Sequence, residues 1–301
     1  MKKTVFIGSV LSSKIALETL VELGINIDLV CSLDEKYSKN VSDYYPIHDI
    51  AEKKGIPFLK FKKINSDKVV ESIKKVNPDF IFVIGLSQII SKHILDLPNK
   101  YAIGFHPTPL PKFRGRAALP WQILLGVRES KVSLFKLDEN MDSGDIICQY
   151  PYSIDENDYA MDVYIKVCNA MKLAFKECLL DIYNDSVNFI KQKEEDATYL
   201  LIRRPEDGKI DWNWSGNKIH TLIRAASKPY PGAFAYYKGE KVIFWKAKLE
   251  KNDKYIGIPG QIAWIGNKGE IGIVAKDSLI VVTDYLKEDS DILFSVGHKF
   301  E

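Results

Sequence analysis

Residues 103–145 read IGFHPTPLPKFRGRAALPWQILLGVRESKVSLFKLDENMDSGD, and the order of parts inside this stretch sets the fold expected around it. An apolar run ends in His106, a loop carrying Pro107, Pro109 and Pro111 follows, and an acidic turn with Gly144 closes the stretch. Proline fixes φ and removes a backbone donor, so prolines at alternate positions predict a rigid loop that holds its neighbours in one geometry. His106 then stands where a strand ends, which is where open α/β sheets bind ligands. Lys112, Arg114 and Arg116 on the same loop either suit an anionic partner or form a solvated rim.

Toward the N-terminus the pattern alternates strand and helix. TVFIG predicts a buried strand, SSKIALETLVELG a helix with Ser12 or Ser13 near its cap and Gly24 at its end, and INIDLVCSL a second strand. That order is βαβ. Gly8 stands without a GxGxxG, so the dinucleotide fingerprint is absent. Ser9 and Ser12 offer donors to a phosphate near the helix start, or simply cap it. The tyrosine-rich segment 36–45, with Tyr44, follows the second strand and either faces the ligand cleft or is an ordinary connection. PIHDIAEKKG and NSDKVVESIKKVN read as helices around a short strand, and PDFIFVIG as a central strand leading to LSQIISKHILDLP. His48 and His93 sit in helical or surface patterns and read as structural.

Toward the C-terminus IICQYPYSI reads as a strand and the segment from Asp155 to Asp185 as a long amphipathic helix. Residues 186–200 form a polar connection, a natural domain boundary. Between Ala233 and Tyr285 five short β-like runs are separated by glycine-bearing turns, the pattern of a small barrel.

The chain has 301 residues, with 42 basic and 40 acidic side chains and a net charge of +2, so no general field recruits nucleic acid. From Leu201 onward there are 16 Lys and Arg against 13 Asp and Glu, a small excess for a domain gripping tRNA phosphates. No stretch approaches the ~18 apolar residues of a membrane span. Cys31, Cys148, Cys168 and Cys178 show no CxxC spacing and no signal peptide is read, so a reduced, cytoplasmic setting is expected. The DENMDSGD turn lacks the ligand order of an EF-hand, and no metal is expected.

HPTPLPKFRG followed by DENMDSGD resembles the signature of the folate-dependent formyltransferases, the group containing glycinamide ribonucleotide, methionyl-tRNA and nucleotide-sugar N-formyltransferases. The resemblance implies a Rossmann-like, parallel-sheet α/β catalytic domain over residues 1–188. A smaller C-terminal domain over 189–301 follows, with a helical lead-in and an OB-like β-barrel. N10-formyltetrahydrofolate is the implied co-substrate. His106 takes the family's histidine place, Asp142 the aspartate place without a gap, and Thr108 the small hydroxyl place. Where the family has asparagine, two residues before the histidine, this chain has Gly104; Gln88, a longer amide after the neighbouring strand, is the candidate replacement. Leu86, Ser87, Ile89, Thr108, Asp138 and Asn140 fall on the folate side. Ser9, Ser12, Tyr44, Pro109, Lys112, Arg114 and Tyr230 fall on the acceptor side. KPYPGAF at 228–234 is nearer the sugar enzymes, so the implied acceptor is a nucleotide-activated amino sugar of the kind used in lipopolysaccharide or O-antigen biosynthesis. Initiator methionyl-tRNA is the alternative acceptor, and a non-catalytic folate or nucleotide-sugar binder a second alternative. A homodimer fits the sugar enzymes.

Such chemistry needs a neutral amine nucleophile, stabilisation of the developing oxyanion, and movement of a proton from the amine to the departing nitrogen. A carboxylate beside an imidazole fixes the ring's tautomer and orientation, and proton transfer of this kind contributes ~10²–10⁴-fold.

Overall fold

The structure, a computed structural model, describes residues 2–301. Strands β1 (Thr4–Gly8) and β2 (Leu29–Leu33) are buried along their whole length, which explains their continuous apolar runs. Helix α1 (Leu11–Glu22) connects them. The chain continues through α2 (His48–Lys53), β3 (Phe58–Phe61), α3 (Asp67–Val76), β4 (Phe80–Val83), α4 (Lys92–Leu95) and β5 (Tyr101–His106). Asn77 ends α3 in the left-handed region, φ 52°, and Pro78 prevents the helix from continuing. These five strands lie in the order β3-β2-β1-β4-β5 and are parallel throughout. Val5, Ile7, Cys31, Ile81 and Ala102 form part of the core on one face.

After β5 come β6 (Arg114–Gly115), α5 (Ala118–Leu124), β7 (Glu129–Lys136), β8 (Ile146–Ser153) and α6 (Ala160–Asn184). The expected Rossmann-like α/β arrangement is present, with an addition at one edge. β7 and β8 add to its edge antiparallel, giving a seven-stranded, mostly parallel sheet ordered β3-β2-β1-β4-β5-β7-β8. β7 lies inside the stretch read as loop and turn. A hairpin-like return from β7 to β8 needs no helical crossover, which is what makes the antiparallel edge available.

Two compact units divide the chain: Met1–Ala118, Glu129–Ser153 and Ile165–Leu201 form one, and Leu119–Arg128, Ile154–Tyr164 and Ile202–Glu301 the other. The last crossing falls after Leu201 rather than at the expected residue 188, and two short earlier segments join the second unit.

The first unit also holds β9 (Tyr199–Leu200), which pairs in parallel with β6. In the second unit α7 (Gly216–Ala226) is followed by β10 (Ala233–Tyr237), β11 (Glu240–Glu250), β12 (Ile262–Ile265), β13 (Ile271–Val274) and β14 (Leu279–Lys287). These are the five strands expected, in an antiparallel sheet ordered β10-β11-β14-β13-β12. Edge strands β10 and β12 do not pair with each other among the described residues, as in a partly open barrel. Trp212, Tyr237, Phe244 and Phe300 fill its core, Phe244 meeting Phe300 edge-on at 5.4 Å between centroids. No helix among the described residues is long and apolar enough to cross a membrane.

Candidate active site

His106 is the last residue of β5, paired across to Ser133 on β7, so a strand on each side of β5 fixes its main chain. The residue is 6 % exposed. Its Nε2 donates to the Phe113 carbonyl at 2.8 Å, and its Nδ1 lies 3.6 Å from Asp142 Oδ2. Nε2 is thus engaged by a main-chain carbonyl, while Nδ1 faces the carboxylate across a gap longer than a direct hydrogen bond. Asp142 Oδ2 also accepts the Gly115 N–H at 2.8 Å, while Oδ1 has no hydrogen-bond partner among the described residues. The Asp142 side chain is 21 % exposed against 8 % for His106, so the carboxylate is the reachable member of the pair.

The proline loop is stapled from beneath. Thr108 is fully buried and its hydroxyl donates to the Lys112 carbonyl at 2.9 Å. Ser133 Oγ donates to the Thr108 carbonyl at 2.6 Å and accepts from the Leu110 N–H. Gln149 Nε2 donates to the Leu110 carbonyl, and the Tyr152 hydroxyl to that of Pro107. Thr108 therefore shapes the loop, and its hydroxyl is not presented to a cofactor as expected.

Asp142 is held in the left-handed region, φ 54°, which an aspartate adopts only when its surroundings impose it. Gln192 supplies much of that constraint: its Nε2 donates to the main-chain carbonyls of Asp142 (2.9 Å) and Gly144 (2.7 Å). A Cβ at Gly144 would sit 1.8 Å from the Lys136 carbonyl oxygen, so only glycine fits beneath the loop. Gln192 Oε1 accepts from Arg114 Nε (3.1 Å) and Nη2 (3.0 Å), and Arg114 Nη1 donates to Glu194 Oε2 (2.8 Å) and to the Tyr199 hydroxyl (3.0 Å). Arg114 is 2 % exposed. The expected role of Arg114 in binding an anionic substrate is corrected: its donors are taken by scaffold partners from 192–199, a segment that reads in sequence as a bare connection.

Gln88 has scaffold partners as well. Its Oε1 accepts the Ile64 N–H at 2.9 Å and its Nε2 donates one of its two hydrogens to the Lys62 carbonyl at 2.9 Å, so both ends of the amide tie down the turn after β3. At Gly104 itself a Cβ would meet Leu137 Cδ2 at 2.6 Å and Phe135 Cζ at 2.9 Å. The place of the family amide is closed by apolar side chains. Ser9 is fully buried and donates to the Gly85 carbonyl (3.1 Å), Ser12 is 7 % exposed, and the Tyr44 hydroxyl donates to the Leu33 carbonyl (3.1 Å). The Ser9 hydroxyl therefore ties the turn after β1 to the turn after β4, and that of Tyr44 ties the loop after β2 back to the last residue of that strand. Asp138 accepts from the Asn140 N–H (3.0 Å) and Ser143 Oγ (2.8 Å), closing the acidic turn. Asn140 and Lys112 are exposed, and Pro109 and Leu86 half-buried. Tyr230 belongs to the second unit.

Ser87, Gln88 and Ile89 line a cavity of about 440 Å³ together with Lys63, Asn65, Ser66 and Arg116. Two of these seven residues, Ser87 and Ile89, were expected near a cofactor. Lys63, Asn65 and Ser66 were not, because they follow a different strand. Arg116 Nη2 donates to the Ser87 carbonyl at 3.4 Å, and Ile89 is 78 % exposed. Among the described residues no group of three or more His, Cys, Asp or Glu side chains is placed to hold a metal ion.

Comparison with known proteins agrees with this geometry. The family described as formyl transferase matches residues 3–179, and that described as formyl transferase, C-terminal domain, matches residues 203–293. The bifunctional polymyxin resistance protein ArnA of Wigglesworthia glossinidia brevipalpis is 34% identical over 78% of this chain, which spans only 36% of that longer protein. Methionyl-tRNA formyltransferase of Clostridium tetani is 30% identical over 94% of this chain and 91% of its own length. Among solved structures, WlaRD, a sugar 3N-formyl transferase determined in the presence of dTDP and 5-N-formyl-THF, superposes with a TM-score of 0.65 at 20% identity, covering 96% of this chain and 99% of WlaRD.

Proposed function

We propose, from the premise that this chain belongs to the formyl transferase family, that it transfers a formyl group from N10-formyltetrahydrofolate to the amine of a nucleotide-linked amino sugar. The observation that carries the reading is the His106–Asp142 pair at the end of β5, with a carboxylate oxygen left open. The co-substrate supplies an activated formyl group. The cavity beside Ser87 to Ile89 fits it, since Lys63 and Arg116 provide cations for an acidic tail and Ile89 an apolar face. Asp142 Oδ1 takes the proton of the attacking amine. As the tetrahedral intermediate collapses, the bond from the formyl carbon to N10 breaks and the proton taken from the amine passes to N10, so that tetrahydrofolate leaves neutral. His106 Nδ1, 3.6 Å from Oδ2, orients the carboxylate for this relay. Gly104 supplies no side-chain donor, and loss of such a donor typically costs ~2.7–4 kcal/mol of transition-state stabilisation. Turnover is accordingly expected to be slow.

An amino sugar is favoured over methionyl-tRNA by the slight charge of the C-terminal part and by KPYPGAF at 228–234. Of the relatives compared, one is named a bifunctional polymyxin resistance protein and the other a methionyl-tRNA formyltransferase, and a cytoplasmic site of action belongs to this proposal. A thermal-shift screen of nucleotide-linked amino sugars in the presence of 5-formyltetrahydrofolate tests the choice, because a ligand that binds the folded state raises Tm by mass action. Stabilisation by one amino sugar with folate present is expected. Stabilisation by initiator tRNA instead would favour the other acceptor.

A further inference from the structure

A cavity of about 740 Å³ is lined wholly by residues of the second unit, and none of them belongs to the His106–Asp142 site. Its size falls within the ~300–1,000 Å³ of small-molecule sites. The walls come from the turn after α5, the 154–159 loop, α7, β11 and Thr283 of β14. Four cations, Arg128, Arg224, Lys246 and Lys248, face two carboxylates, Asp155 and Glu156.

Arg224 is the informative residue. It is 7 % exposed, and no carboxylate lies within 4.0 Å of it among the described residues; Glu156 and Asp158 act on it only from farther away. Its Nη1 donates to the Asp158 carbonyl at 2.9 Å, Nη2 reaches Thr221 Oγ1 at 3.4 Å, and Nε has no partner. A guanidinium has five donors in a planar fork, and burying one without a counter-anion is expensive. Burial holds Arg224 below the usual arginine range, with Arg128 pushing the same way against Tyr159. His220, on the same face of α7, donates from Nε2 to the Ala247 carbonyl at 3.0 Å, and among the described residues no hydrogen bond joins it to Arg224. Lys246 and Lys248 are exposed on either side of buried Ala247, which puts both on the outward face of β11. Arg128 is partly offset by Glu156 at 4.0 Å.

We propose that this cavity is a second ligand site, for a small molecule bearing a phosphate group, in which Arg224 holds the phosphate and Lys246 and Lys248 close on it. Three cations converging on one concave place match a dianion better than a single carboxylate. Asp155 and Glu156 on the opposing loop favour a hydroxyl-bearing body over a second phosphate, which argues against a nucleic-acid backbone. The proposal does not depend on which acceptor the first site takes.

Hydrogen–deuterium exchange on the full chain, with ribose 5-phosphate as the probe and ribose in sodium chloride at matched ionic strength as the control, locates binding directly. Protection of residues 217–224 and 246–249 at millimolar probe is expected, with none from ribose. Arg224→Gln should weaken binding about tenfold or more, the scale of a lost charged hydrogen bond. The double variant Lys246→Ala/Lys248→Ala changes only exposed side chains and should weaken binding several-fold; it decides alone if Arg224→Gln fails to fold. Protection absent from these segments, equal protection by ribose, or undiminished binding in the lysine variant would overturn the proposal.

Discussion

Two arginines are almost equally buried, one in each compact unit, and they are used in opposite ways. Arg114 meets Gln192, Glu194 and Tyr199, and through Gln192 it supports the main chain of Asp142. Arg224 has one good hydrogen bond, to a carbonyl, and a cavity in front of it. A buried guanidinium whose donors are filled by the protein is part of the scaffold; one whose donors are left over is waiting for an anion. The difference shows why a cation's position in a motif is a poor guide to its use. Arg114 sits in the loop that looks made for an anionic substrate, and Arg224 in the helical lead-in of the C-terminal part, where no motif marks it.

The sharpest use of this comparison is to strike the residue that the Arg114 network holds. Asp142→Asn keeps an acceptor for the Gly115 N–H and leaves the contacts of Gln192 to the main chain untouched, so the fold should survive. It removes the base, so kcat should fall by ~10²–10⁴-fold in steady-state assay. Stability separates the two arginines next. In urea denaturation Arg114→Ala should lose roughly 2–3 kcal/mol, because hydrogen bonds to a charged group go and Gln192 Oε1 is left buried and unpaired. Arg224→Ala should lose well under half as much, and equal losses would break the comparison. Gln192→Leu should lower kcat by about tenfold, the size of one lost positioning hydrogen bond, while KM for both substrates changes little. A rise in KM with kcat unchanged would make the clamp a binding element.

The smallest effect is in pH. Hydrogen bonds from Tyr199 and Arg114 hold the exposed carboxyl of Glu194 below its ordinary value of 4.5. A lowered folded-state pKa contributes stability above the unfolded value and loses it as pH falls through the folded one. The urea midpoints of the wild type and Glu194→Gln should therefore differ slightly near neutrality and converge in acid.

Much of the larger sheet was legible because strands buried on both faces must be continuous apolar runs, as in β1, β2 and β4. His106 and Asp142 stood out because each sits in its own compact motif, HPTPLPKFRG and DENMDSGD, and the structure brings their side chains to 3.6 Å although α5 and β7 lie between them. β7 was not legible, since its residues lie between a proline loop and an acidic turn that dominate the reading. The true partners of Arg114 were not either: Gln192, Glu194 and Tyr199 reach it across a long sequence separation from a segment with no periodicity. The partners of Gln88 were missed for a related reason: the backbone groups of Lys62 and Ile64 that it meets follow a different strand. The apolar closure at Gly104 depends on Phe135 and Leu137, whose placement follows from β7.

The most direct test of the account is a competition in one reaction. N10-formyltetrahydrofolate carrying a labelled formyl group is offered to the protein with a dTDP-linked amino sugar and initiator methionyl-tRNA together. Label should appear in the sugar as a formamide, slowly, and should vanish with His106→Ala. Label in the methionyl-tRNA, or the same labelling of the sugar by His106→Ala, would contradict it.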